Sequence, residues 1–145
     1  MGIGDNMGSS FTMTGGTSVT DVLAGAWKDE LVYTINGGGT VIPAGETAWI
    51  PIAYTGFITG WDLSADLSGS VTMDVWHCTA ANYPPVIGNT ITASAKPYIT
   101  SALRNSSTTL TGWTVNFAAG DYFKFYVESI STITKLVVTL FTQRT

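Results

Sequence analysis

The chain has 145 residues, enough for one domain with a sizeable core, and 11% of them are charged, against roughly 25% in ordinary soluble domains. A net charge of −4 with six scattered Lys and Arg residues disfavours a phosphate-binding track, and a single cysteine excludes an intrachain disulfide framework. Mean hydropathy is +0.25, yet the longest apolar run, Leu136–Phe141, is strand-sized, so the apolar excess predicts burial between subunits rather than membrane insertion.

Residues 1–25, rich in Gly, Ser and Thr, lack periodicity and are predicted to form an extended anchoring arm, separate from a domain over residues 26–145. No charged stretch followed by an apolar core opens the chain, so no Sec-type signal is expected. From Leu31 onward the pattern is that of strands and turns. LVYTIN (31–36) runs into Asn36-Gly-Gly-Gly39, a strong turn signal. AWIPIAY (48–54) carries Pro51, which places it at a sheet edge or bulge.

FITGWDLSAD and VTMDVWHC are predicted as two strands flanking a Leu67-Ser-Gly-Ser70 turn. In the first, Trp61, Leu63 and Ala65 alternate with Asp62, Ser64 and Asp66; in the second, Asp74 alternates with Met73 and Val75. The three aspartates are therefore expected on a wetter face, as polar trim of a hairpin. A calcium loop would want Gly and Glu where Leu67 and Met73 stand.

GWTVNFAA (112–119), DYFKFYVESI (121–130) and TKLVVTLFTQ (134–143) complete the strand series. Phe123, Phe125 and Val127 are expected to face one way, and Tyr122, Lys124, Tyr126 and Glu128 the other. No helical spacing is sustained. The fold class is all-β, an antiparallel, jelly-roll-like β-sandwich. Ala44-Gly-Glu46 and Ala119-Gly-Asp121 form an internal echo: each suits a turn in which Gly takes positive φ and the acid caps nearby amides.

Catalytic chemistry finds little footing. His77 and Cys78 are adjacent in a predicted strand and project to opposite faces, and the chain has no second His or Cys. His77 is expected to be a half-buried strand residue. No P-loop or dinucleotide fingerprint is present, and Asn105-Ser-Ser107 matches a glycosylation sequon that arises often by chance. No catalytic residue, metal ligand or cofactor is assigned. The remaining candidates are aromatic: Trp76, Tyr83, Tyr98 and Trp113 could fill a subunit seam, fill a second layer of the fold, or stack on a sugar ring.

The run Ile58-Thr-Gly-Trp61-Asp-Leu-Ser-Ala-Asp66-Leu-Ser-Gly-Ser70-Val-Thr-Met-Asp74-Val-Trp76 resembles a β-domain of tailed-bacteriophage virion proteins. Ala81-Asn-Tyr-Pro-Pro85, Ile91-Thr-Ala-Ser-Ala-Lys-Pro97, Leu110-Thr-Gly-Trp113 and Ala119-Gly-Asp121 extend the likeness over residues 45–143. The resemblance implies a compact β-sandwich on a phage particle, often trimeric, at the end of a tail fibre, in a minor tail protein or in another appendage. It brings no catalytic residues with it. Because only a short arm precedes the domain here, a capsid decoration or cement protein fits the length better than a fibre tip. The expected function is thus structural: a homo-oligomer at the virion surface, with other capsid or tail proteins as partners and no nucleic acid. The alternative is a host-adhesion module that binds surface glycan through Trp76, Tyr83 and Trp113.

Overall fold

The computed structural model describes residues 27–145. The anchoring arm expected over residues 1–25 lies outside them. Among the described residues, seven strands form one antiparallel sheet: β1 (Trp27–Asn36), β2 (Thr47–Pro51), β3 (Gly56–Cys78), β4 (Tyr98–Ser107), β5 (Asn116–Phe117), β6 (Tyr122–Ser131) and β7 (Lys135–Arg144). Two short 3₁₀ turns, Ala80–Asn82 and Ile87–Asn89, lie between β3 and β4.

The architecture follows from β3, which is 23 residues long. Its first half pairs with β7, from Gly56↔Arg144 to Ala65↔Leu136. Its second half pairs with β6, from Ser70↔Ser131 to Cys78↔Tyr122. Strands β6 and β7 are therefore successive parts of one chain pass running antiparallel to β3. The same holds outside them: β1 pairs with β7 and β2 with β6. On the other edge of β3 lie β4 and β5. Four long passes, residues 27–52, 121–144, 56–78 and 90–117, thus lie side by side, each crossing from one half of the sheet to the other.

Both halves contribute to a single core. Leu63, Leu136, Val138 and Leu140 from one half cluster with Met73, Val75, Phe123, Phe125 and Val127 from the other. Phe117 of β5 meets Phe123 of β6 edge-on at 5.5 Å, joining the two layers directly. The layers of the expected sandwich are consequently two halves of one curled, hydrogen-bonded sheet. The alternation expected in β6 holds: Phe123, Phe125 and Val127 are fully buried, whereas Glu128 is exposed. Pro51 ends β2, an edge strand, as its missing N–H requires.

Two expectations about the strands fail. Of GWTVNFAA (112–119), only Asn116–Phe117 forms a strand, because the chain turns at Gly112 and again at Ala118–Asp121. Leu67-Ser-Gly-Ser70 does not turn the chain back; β3 continues through it as a bent strand, so the predicted hairpin does not exist. The bend works because the partner pass bends at the same place, between β6 and β7. Asp66 holds the two together by accepting hydrogen bonds from the Thr134 amide (3.1 Å), the Lys135 amide (2.9 Å) and the Thr134 hydroxyl. The Thr134 hydroxyl and then the Lys135 amide keep the Asp66 carboxyl below the usual carboxylate range. A depressed folded-state pKa stabilises above the unfolded value, about 3.9, and that stabilisation is lost as pH falls through the folded value. Asp66→Ala should therefore lower Tm at pH 7 in calorimetry, and the gap to wild type should narrow as the pH drops below 4. A gap independent of pH would show that Asp66 carries no linked proton.

The Ala-Gly-acid echo is structural. Gly45 and Gly120 have φ of 90° and 92°, and each lies in a turn closed by an i→i+3 bond, Glu46 N to Pro43 O and Asp121 N to Ala118 O. Each turn also brackets one residue of the neighbouring pass. Gly45 N donates to Val127 O while Val127 N donates to Glu46 O; Gly120 N donates to Ile52 O while Ile52 N donates to Asp121 O. The two corners clamp opposite ends of the β2–β6 pair.

Candidate functional site

The outward side of the β2–β6–β3 half carries three cross-strand rows. In register they are Thr47–Tyr126–Asp74, Trp49–Lys124–Trp76 and Pro51–Tyr122–Cys78. Alternation explains the set. Ala48 and Ile52 point into the core, so Trp49 and Pro51 point out; Phe123 and Phe125 point in, so Tyr122, Lys124 and Tyr126 point out. The result is an aromatic face around one cation.

Trp76 stacks on Tyr126 with ring centres 4.8 Å apart and 22° between planes. Lys124 Nζ stands 5.5 Å from the ring centres of both Trp49 and Trp76, a cation–π arrangement between neighbouring strands. Tyr83, from the loop after β3, packs on Tyr122 at 4.7 Å. Trp49 is 49% exposed and Tyr83 44%, whereas Trp76 is only 7% exposed.

Beside Trp76 in the sheet runs the segment that follows the 3₁₀ turns. Thr90 bridges to Trp76, and Ile91 N donates to Val75 O. Beneath lies Asp74, which is buried rather than on a wet face as its alternation suggested. It accepts hydrogen bonds from Thr90 Oγ1 (2.6 Å), Thr92 Oγ1 (2.7 Å), the Val75 amide (2.8 Å) and Trp76 Nε1 (3.1 Å). Lys96 Nζ is 3.5 Å away and also binds Glu128 at 2.7 Å. Burial pushes the Asp74 carboxyl upward, but the donors from Thr90, Thr92, Trp76 and Val75 outweigh it and hold the group below its ordinary range. The Glu128 bond, helped by the Asp74 charge, outweighs burial, which acts the other way, and raises the Lys96 pKa. The aspartates are thus fasteners of the fold: Asp62 pairs with Arg104 at 2.8 Å, Asp66 holds the bend, and Asp74 pins the 90–96 segment.

The four aromatics singled out in the sequence are not all brought together. Trp76 and Tyr83 belong to the aromatic face, Trp76 as a buried member. Trp113 is buried in the core, donating its indole N–H to Ala95 O at 2.8 Å. Tyr98 is exposed on β4 and tilts against Trp61 at 6.2 Å. Sequence reasoning missed Trp49, although its alternation with Ala48 and Ile50 was the signal that could have found it.

His77 and Cys78 do face apart. His77 Nε2 lies 2.7 Å from Asp121 Oδ2 in the second Ala-Gly-acid turn, and the same oxygen accepts the Ala118 amide. Burial, followed by the Asp121 charge, pushes the Cys78 thiol up, which suits a structural cysteine rather than a nucleophile. Among the described residues, no three His, Cys, Asp or Glu side chains gather as a metal site. A cleft of about 550 Å³ lies between the start of β1 and the end of β7, walled by Trp27, Phe141 and Gln143. The Asp29–Arg144 ion pair, at 2.7 Å, closes part of it.

No family model matches the sequence. No curated protein matches it either. Among solved structures, the chain is similar to one in the cyanophage Pam1 capsid asymmetric unit, at 11% identity and a TM-score of 0.43, over 83% of this chain and 87% of that one.

Proposed function

We propose that this protein is a non-catalytic structural subunit of a tailed-phage virion, a surface decoration or tail-appendage protein. It associates with copies of itself, three being the favoured number, and residues 1–25 hold it to the capsid or tail. The virion setting is supported by the sequence resemblance over residues 45–143.

Self-association is carried by one observation, the edge at β1. Four of the described strands lie at sheet edges, and three are blunted, β5 by being only two residues long. Strand β2 is five residues long and ends in Pro51. Strand β4 is broken in register, with Ser101 at φ 45°. Strand β1 pairs with β7 through ten consecutive residues without a break, and its half Leu31–Asn36 carries no charge while exposing Val32 and Tyr33. A long, regular, apolar edge is a template for another chain. Each further 100 Å² of apolar contact there contributes about 2.5 kcal/mol before association costs, and many copies on one particle turn modest contacts into avidity.

Removing residues 1–25 should leave a folded oligomer that no longer sediments with particles. Undiminished particle binding would defeat the anchor. A monomer of the full chain at high concentration, by light scattering, would defeat self-association, and Val32→Lys should shift a true oligomer toward monomer.

A further inference from the structure

The aromatic face holds a cation that the other described residues leave without a paired counter-charge. The ion pairs of the described residues engage His77, Lys96, Arg104 and Arg144, and none reaches Lys124. The nearest acid in the cross-strand rows, Asp74, is buried and fully engaged by four donors and Lys96. Lys124 instead stands between two indoles. Around it, the phenol hydroxyls of Tyr83, Tyr122 and Tyr126 form no hydrogen bond with any described residue.

We propose that this face binds an anionic saccharide, with a pyranose ring laid on Trp49 and its carboxylate at Lys124. Each part of the chemistry has a counterpart. The C–H face of a pyranose is apolar and suits a half-exposed indole on an edge strand. Three unengaged phenols offer donors and acceptors to a polyhydroxylated ligand. A neutral sugar would leave the cation uncompensated, whereas a carboxylate makes a charge-assisted bond to it. A protein seam suits the face less, because it would have to desolvate Lys124 and pair all three phenols. The site lies on the β2–β6–β3 half and the self-association edge on β1, so the two readings stand or fall independently.

The test titrates the full-length oligomer with tetragalacturonate, its methyl ester, 3′-sialyllactose and lactose, following the tryptophan indole N–H signals by NMR and affinity by calorimetry. At least one acidic probe should perturb the Trp49 indole and bind about tenfold more tightly than its neutral partner. Trp49→Ala should abolish that binding, Lys124→Met should weaken it about tenfold, and Lys124→Arg should retain it. Phe141→Ala, at the β1–β7 cleft, should leave it unchanged. Circular dichroism and Tm confirm that each variant is folded. No binding by either acidic probe, or equal binding of the neutral partner, overturns the proposal. Binding that survives both Trp49→Ala and Lys124→Met also overturns it. A changed oligomer mass in Trp49→Ala, without any saccharide effect, would instead make the face a protein seam.

Discussion

Replacing Asp74 by alanine is expected to destabilise the protein by about 3–5 kcal/mol, the usual cost of removing one partner from a buried, hydrogen-bonded charge pair. The loss has two parts. The hydroxyls of Thr90 and Thr92, the Val75 amide and the Trp76 indole N–H all donate to this one carboxylate, and Thr92 is fully buried. Donors left unpaired in such a place retain their desolvation cost. Lys96 also loses one of its two acidic partners, keeping Glu128. A fall in Tm on the order of 10–20 °C should result. Asp74→Asn should lose less, because its amide oxygen still accepts while its NH₂ opposes the Trp76 donor. The pH dependence follows from the depressed carboxyl: its contribution is complete above the unfolded value, about 3.9, and disappears as acid protonates the folded form. Wild type and Asp74→Ala should therefore converge in stability toward strongly acidic pH. Parallel curves down to pH 2 would show that the carboxylate charge is not what holds the 90–96 segment.

The second large effect is expected at Gly69, where β3 bends. A Cβ added there meets the Ser131 carbonyl oxygen, with Ile133 Cγ1 at 2.9 Å and Thr132 Cβ at 3.1 Å. The first neighbour is backbone and the other two belong to β-branched residues, of which Ile133 is fully buried, so none yields cheaply. Gly69→Ala should cost about 1–3 kcal/mol through overpacking, and Gly69→Val more. Denaturant melts report the loss, and it should appear without any change of m-value if the native state keeps its compactness. Wild-type stability in Gly69→Ala would mean that the two passes separate easily at the bend.

Much of the fold was legible from residue order alone. The strict alternation of Phe123, Phe125 and Val127 fixed the inward face of β6, and Pro51 marked an edge. Both Ala-Gly-acid turns declared themselves through a glycine that must take positive φ. Leu67-Ser-Gly-Ser70 misled because serine and glycine are turn formers locally, while the residues that keep the strand running, Ser131 to Lys135, lie more than sixty positions away. Strand β4 escaped notice because Tyr98–Ser107 is mostly exposed and polar, so period-two patterning barely registers. The site was legible in halves. Tyr122, Lys124 and Tyr126 were correctly placed on one face, but the backbone partner of Trp76 and the hydroxyl donors to Asp74 come from Thr90 and Thr92, fourteen to eighteen residues onward, and no local pattern announces them.

The shared ribbons have a mechanical consequence. Since β3 crosses the whole sheet, neither layer can melt while the other survives; separating one strips the hydrogen-bond partners and the inner face from its neighbour. Unfolding should proceed as a single cooperative event, with slow amide exchange reaching the same ceiling at Leu63 and at Val75. Tension along the chain would load the long ladders in shear, many bonds at once, instead of opening them one by one.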